Sequence, residues 1–374
     1  MPITLDGTNG ITTPMYNGSI TANAVTPSVN MKNRIINGAM VIDQRNAGAS
    51  VSNLAGALTY SVDRWPVNCS AANKFTMQQN AGSVTPPAGF ANYLGLTSSS
   101  AYSSGSSDYF HLYQPIEGYN IADLNWGTAN AKTVTASFWV RASVTGTYGG
   151  IIINSAATAN YPFTYTVNSA NTWEQKTLTI VGPTIGTWNS TNGTGLEFRF
   201  DLGNGSDYTT GTAGAWSASF GYPSGTVKFV ATNGGTLYLT GVQIEVGSTA
   251  TSFDYRSIGT ELQLCQRYYV QYGGTSTNEH LPMVAQVQGT TNANTSLQFP
   301  VQMRTTPSIT QASTWQANIY GGSSQNISSF AISDSTPLVA RLDITLAGSL
   351  GSAGQCARML STSTAARLNF SAEL

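Results

Sequence analysis

Between residues 134 and 141 apolar and polar side chains alternate: Val134, Ala136, Phe138 and Val140 against Thr135, Ser137, Trp139 and Arg141. A period of two puts successive side chains on opposite faces of an extended chain, so the stretch reads as a half-buried strand. Further strand candidates follow one another, among them Phe75–Gln79, Tyr93–Thr97, Tyr109–Ile116, Phe163–Val167, Trp173–Val181, Leu196–Leu202 and Val227–Ala231. Asn33–Asn46 is β-rich, and Gly, Asn, Ser and Pro fill the gaps between runs. Many short strands with turn chemistry, and no helical stretch of comparable length, predict an all-β chain whose main domain is a jelly-roll β-sandwich.

One stretch changes period. In Thr236–Tyr272, Leu237, Leu239, Val242, Ile244 and Val246 first follow the strand pattern. Ile258, Leu262, Cys265 and Tyr269 then recur at i, i+4, i+7 and i+11, one face of a short helix. Ser257 and Thr260 both suit its N-cap, and Gly273 suits its stop. The stretch therefore reads as the last strand of one domain and a helical hinge to the next. The expected division is an extended arm over 1–33, a jelly-roll sandwich over 34–256, the hinge over 257–273, and a second, smaller β domain over 274–374. Gly7, Gly10, Pro14, Gly18 and Pro27 punctuate the arm, which has no persistent apolar face and is expected to be ordered by partner strands. In the last domain Thr295–Val301, Ile319–Tyr320, Ser329–Ile332, Ala340–Leu346 and Arg367–Phe370 read as strands, and no lysine follows Lys228.

Charged residues make up 9% of the chain, against roughly 25% in a typical soluble domain. Hydroxyls and amides replace them, giving a surface that hydrogen-bonds without strong fields. A net charge of −1 argues against a phosphate-binding footprint and a polybasic membrane patch, so neither nucleic acid nor membrane insertion is expected. No apolar run approaches a membrane span, and the opening MPITLDGTNG lacks the features of a secretory signal. Cys69, Cys265 and Cys356 show no pairing or metal-ligand spacing and read as free buried thiols, in keeping with assembly in a reducing cytoplasm.

No catalytic motif is present. His111 and His280 fall in different domains, and neither is near a nucleophile elbow; both read as structural or surface residues. Glu197 and Asp201, an even number of residues apart, are the pair that a glycoside hydrolase would need, although solvated turn aspartates look the same. The loop Asp201–Asp207 offers oxygen ligands to calcium but lacks the full calcium-loop pattern, and no cofactor is expected. Aromatic rings among polar loop residues are a further signal. Trp188, Tyr208, Trp216 and Tyr222 in the first domain, and Trp315 and Tyr320 in the second, suit stacking on sugar C–H faces. They equally suit filling beneath a loop or at a subunit interface.

Several stretches resemble bacteriophage tail-fibre and related virion proteins: ITLDGTNGITTP, MKNRIINGAMVIDQRNAG, YSVDRW, TVTASFWVRASVTG and LTGVQIEVGSTATSFDYRSIGTELQLCQRYY, in that order over about residues 1–272. The ending LNFSAEL is only loosely similar. The resemblance implies a virion component, usually a homotrimer, with a sandwich similar to carbohydrate-binding modules and no catalytic residues. The expectation is a non-enzymatic receptor-binding protein, made and assembled in the host cytoplasm. Residues 1–33 would join other phage tail or virion proteins, and the β domains would adsorb to host-surface glycans. Trp315, Tyr320, Trp188 and Trp216 are the expected ligand-binding residues, with the tip in the second domain. Ile258, Leu262, Cys265 and Tyr269 are expected either to meet at the trimer axis or to pack within one chain. A surface-polysaccharide depolymerase and a purely structural decorating or shaft protein are the alternatives.

Overall fold

The computed structural model describes residues 4–6, 10–12, 31–319 and 321–374, which fall in two compact units, 1–32 and 33–374. In the first, β1 (Thr4–Asp6) and β2 (Gly10–Thr12) form an antiparallel hairpin with Leu5 opposite Ile11. The other residues of the expected arm up to 30 lie outside the described ones.

The second unit begins with a sandwich. Its strands are β3 (Val51–Ser52), β4 (Thr59–Tyr60), β5 (Pro66–Cys69), β6 (Phe75–Gln79), β7 (Leu94–Ser98), β8 (Phe110–Glu117), β9 (Val134–Ala142), β10 (Gly146–Asn154), β11 (Asn160–Val167), β12 (Glu174–Ile180), β13 (Thr194–Asp201) and β14 (Thr236–Val246). They make two six-stranded antiparallel sheets, ordered β11-β10-β13-β8-β5-β4 and β12-β9-β14-β7-β6-β3. The chain crosses between them repeatedly, so the fold is all-β. Val134, Ala136, Phe138 and Val140 of β9 are fully buried between the sheets with Phe198, Phe200 and Trp65. Burying each such aliphatic or phenyl side chain is worth about 1.5–3 kcal/mol. The opposite face of β9 is covered too: Thr135 is buried and donates to Gly247 O at 2.8 Å.

In β14 the pairing slips between Thr240 and Gln243, where Gly241 takes φ 61°. This bulge explains why the apolar positions jump phase from Leu237 and Leu239 to Val242 and Ile244. Three strand expectations fail. Ile319 follows a strand that ends at Asn318 and is in none itself, with Tyr320 outside the described residues. Phe229–Ala231 is a single tight turn, and Asn33–Asn46 contains no strand. There Asn37, at φ 57°, bonds through its side chain to Ile42 and to Asp63 O, so local side chains satisfy the backbone instead of a ladder.

Helix α1 (Ile258–Gln266) follows, capped by Ser257, whose Oγ accepts from Thr260 N at 3.3 Å. The expected helix through Tyr269 and up to Gly273 stops early. Tyr269 opens β15 (Tyr269–Gly273), which pairs with β23 (Arg367–Ser371). Gly273 ends that strand at φ 81°, with Ala366 O 2.4 Å from where a Cβ would stand.

Between them lie β16 (His280–Val287), β17 (Asn292–Gln298), β18 (Ser308–Ala312), β19 (Trp315–Asn318), β20 (Ser324–Ser335), β21 (Val339–Leu346) and β22 (Cys356–Ser361). A three-stranded sheet runs β15-β23-β18, and the remaining six close into a barrel, β16-β17-β21-β20-β19-β22. Trp315, Phe330, Leu342 and Met359 fill the barrel core.

The sandwich and barrel lobes are joined through charge. Glu117 of β8 is buried and accepts from Arg267 and from Tyr268 Oη, the latter at 2.7 Å. Arg64 stacks on Tyr268 and pairs with Glu373, while Arg45 lies between the Tyr60 and Tyr269 rings and pairs with the same carboxylate. Among the described residues no helix is long and apolar enough to cross a membrane.

Candidate binding site

Strands β11 and β12 are the outermost strands of their sheets, so the sandwich has an open side between them. A groove of about 320 Å³ occupies this mouth. Tyr161, Phe163 and Thr164 line it from β11, Thr177, Leu178 and Thr179 from β12, and Ala213 and Gly214 from the loop after β13. Phe163 and Leu178 belong to the core-facing set of their strands. The floor is therefore the rim of the hydrophobic core, with hydroxyl groups around it.

The loop is pinned onto β11 by backbone bonds. Ser217 and Asn160 exchange N–H···O bonds of 2.8 and 2.9 Å, and Gly214 N donates to Pro162 O at 2.8 Å. This places Trp216 against Tyr161, with ring centroids 5.2 Å apart. Behind them Trp126, Trp188 and Trp216 form a mutual edge-on cluster with centroid separations of 4.8, 5.5 and 5.6 Å. Each indole N–H is already used, Trp216 on Val181 O, Trp188 on Ile185 O and Trp126 on Lys132 O. The tryptophans thus act as a buttress, and the half-buried Tyr161 ring carries their support to the groove. Partial burial raises the Tyr161 phenol above its ordinary pKa, so it stays a neutral donor and acceptor. A flat ring beside Thr164, Thr177 and Thr179 hydroxyls suits a ligand with alternating C–H faces and hydroxyls.

Of the residues expected to bind, Trp188 and Trp216 come together here. Trp315 does not. It is fully buried in the barrel, edge-on to Phe330 at 6.2 Å, and cannot serve as a sugar platform. Tyr320 lies outside the described residues. Tyr222 is buried over Ile151 and Ile153, and Tyr208 packs beside it. Tyr161 is missed by a strand read from Phe163, three residues after the observed start at Asn160. The signal was a tyrosine opening an uncharged edge strand.

The residues expected at a threefold axis do not share an open face. Ile258 is 64% exposed and Leu262 half-buried, but Cys265 and Tyr269 are buried within the chain. Tyr269 has left the helix, and its ring lies against Arg45. Cys69 is buried as expected, whereas Cys356 is exposed. His111 is buried and His280 exposed.

The carboxylates are committed elsewhere. Glu197 is held by Arg199 at 2.6 Å. Asp201 Oδ1 accepts from Gly203 N, Asn204 N and Asn204 Nδ2 at 2.7–2.9 Å, closing the turn whose oxygens could suit calcium. Burial lifts the Asp201 pKa to about 6 against those bonds, which lower it. Among the described residues no three His, Cys, Asp or Glu side chains gather as a metal site. A second, more open groove of about 590 Å³ lies on the barrel around Ser296, Asp334 and Arg341, and among the described residues no aromatic ring lines it.

No protein-family model matches the chain, and no curated protein is similar to it in sequence. Several solved structures align with part of the chain. The enzymatically active domain of bacteriophage CBA120 tailspike protein 4 is 11% identical, with a TM-score of 0.29, over 49% of this chain and 19% of that one. A CBM4 carbohydrate-binding module is 19% identical, with a TM-score of 0.28, over 56% of this chain and 98% of the module. The family 11 carbohydrate-binding module of a cellulosomal cellulase of Clostridium thermocellum is 8% identical, with a TM-score of 0.26, over 56% of this chain and the whole of the module. The chain thus spans about a fifth of the tailspike structure. At these scores the likeness assigns no ligand and no activity.

Proposed function

We propose that this chain is a non-enzymatic phage tail-fibre or receptor-binding virion protein that adsorbs to host-surface glycans through the groove between β11 and β12. The observation that carries the reading is the Tyr161 ring, backed by Trp216 and set among threonine hydroxyls at the sandwich mouth. The collinear resemblance to tail-fibre proteins supports the virion setting, with residues 1–33 as the attachment segment and a homotrimer as the assembled form. Multivalent display makes weak single sites effective on a cell surface. The engagement of Glu197 by Arg199, and of Asp201 by its turn, supports the non-enzymatic reading over a depolymerase.

The test is adsorption to host cells and to a glycan array by the full chain and by Tyr161→Ala. Loss of a stacking hot spot weakens binding by roughly 30-fold, from about 2 kcal/mol, while the melting temperature of the half-exposed variant changes little. Absence of glycan binding by the assembled protein, or new reducing ends released from host polysaccharide, overturns the reading. Native mass spectrometry showing a monomer at micromolar concentration removes the trimer.

A further inference from the structure

The charge map around the groove is uneven in a way that the fold makes meaningful. Residues 142–173, 177–196 and 208–227 contain no Asp, Glu, Lys, Arg or His. These segments are separate in sequence, yet they supply β10, β11, most of β12 and the Gly214–Trp216 loop, and with them the whole lining of the groove. The charged side chains of β12 are Glu174 and Lys176, and they neutralise each other at 2.6 Å. Glu174 also accepts from Asn168 and Ser169, which turns it to the strand's start.

Resting on the glycan-binding reading, we infer that the groove selects uncharged sugars and rejects anionic ones. A uronic or sialic carboxylate, or a sulfate, gives up hydration on entering a site floored by Phe163 and Leu178. It meets no guanidinium or ammonium there, and hydroxyls alone do not replace the lost water around a full charge. A neutral pyranose faces no such loss. Its C–H face lies on Tyr161, and its hydroxyls exchange water for those of Thr164, Thr177 and Thr179. Thr179 already donates to Ser248 O at 3.1 Å, which leaves its oxygen as an acceptor for a sugar hydroxyl. Selectivity here comes from the absence of a compensating charge across three chain segments, not from one recognition residue.

The experiment measures binding of the full chain to neutral hexose oligosaccharides and to their C6-oxidised, uronic acid counterparts, at fixed ionic strength. Tyr161→Ala and Thr177→Lys are measured beside the wild type. Thr177 is exposed, so a lysine there adds charge without disturbing the core, and melting curves verify this. The expected result is that the oxidised counterparts bind at least about tenfold more weakly, a difference of about 1.4 kcal/mol. Thr177→Lys should recover most of that loss for the oxidised forms. Equal binding of neutral and oxidised partners, with both lost in Tyr161→Ala, overturns this selectivity while the glycan-binding reading stands. Binding of no member of either set overturns both. Preference for the oxidised set overturns the inference outright.

Discussion

Arg267, at the end of α1, holds the buried carboxylate of Glu117 on β8 through two hydrogen bonds, Nε to Oε2 at 2.8 Å and Nη2 to Oε1 at 2.5 Å. Tyr268 Oη adds a third bond to the same carboxylate at 2.7 Å. The barrel lobe is thereby fixed to the outer face of a sandwich strand. Hydrogen bonds to an ionised, buried group are strong and directional, so the junction behaves as a joint of defined geometry and not as a swivel. The same region gathers Arg45, Arg64 and Glu373, and Asn37 N donates to Glu261 of α1.

Glu117→Gln tests that joint. The amide keeps the shape but loses the charge, leaving Arg267 without its counter-ion and one acceptor turned into a donor. The expected cost is about 3 kcal/mol, the lower end of the range for broken buried pairs because Arg267 is 28% exposed. Denaturant unfolding monitored by tryptophan fluorescence measures it. Glu117→Gln combined with Arg267→Met should recover part of the loss, and a wild-type midpoint in the single variant refutes the role.

His111 makes stability depend on pH. It is buried beside Tyr113 and Tyr222, and desolvation followed by the nearby Arg199 charge hold its pKa well below the usual value. The folded imidazole is therefore neutral where the unfolded one becomes protonated. Its contribution is complete above pH of about 6.5 and is lost as pH falls, by about 1.4 kcal/mol per unit. Asp63 acts in the opposite sense. Burial raises its pKa to about 7 despite Arg45, so the folded state holds a proton that the unfolded chain has released, and stability falls as pH rises from about 4 to about 7. Unfolding free energies of wild type minus His111→Gln should slope below pH of about 6.5 and be flat above it. The corresponding difference for Asp63→Asn should slope the other way. Flat difference curves count against both assignments.

The strands that sequence resolves best, β6 and β9, alternate over a full strand length, whereas in β14 the alternation changes phase at the bulge. What sequence did not resolve depends on distant partners. Asn33–Asn46 looks like a strand because it is rich in β-branched residues, Ile35, Ile36, Val41 and Ile42, yet its backbone is satisfied by Asn33, Asn37 and Gln114 side chains. Trp315 presents the opposite disguise. It alternates with Ala317 against Gln316 and Asn318, a short buried strand that polar neighbours disguised as a loop. Three of the stretches that resemble tail-fibre proteins meet at the lobe junction, through Asn37, Arg45, Arg64, Arg256 and Tyr268. The groove is built between the last two of those stretches, so the resemblance describes the scaffold and is silent on the ligand.

The cysteines differ in reactivity for a stated physical cause. Burial pushes the Cys69 thiol up to about 12 and raises Cys265 well above its ordinary range, while Cys356 is exposed at the start of β22. Thiolate is the reactive form. One thiol per chain should titrate rapidly in the native protein and all three after denaturation. Cys356→Ser should abolish the fast reaction; two fast thiols in the wild type refute the burial of Cys69 or Cys265.

Trp188 and Trp216 separate support from binding. Both stand in the same indole cluster with Trp126, but Trp216 also touches Tyr161, at 5.2 Å, and sits on the loop that walls the groove. Removing either large ring from a partly buried cluster is expected to destabilise by about 2–3 kcal/mol, less than the 3–5 typical of fully buried tryptophans. The consequences for ligand diverge. Trp216→Ala removes the surface on which Tyr161 rests and loosens the wall at Gly214, so glycan affinity should fall nearly as far as in Tyr161→Ala. Trp188→Ala leaves Tyr161 and Trp216 in contact, so its affinity should stay within about threefold of wild type once measured well below the lowered melting temperature. Calorimetric melting and glycan titration on the same samples give both quantities. Equal loss of affinity in the two variants would mean that the cluster responds as one unit and that Tyr161 has no privileged support from Trp216. Unchanged affinity in Trp216→Ala would move the binding surface away from the β11–β12 mouth altogether.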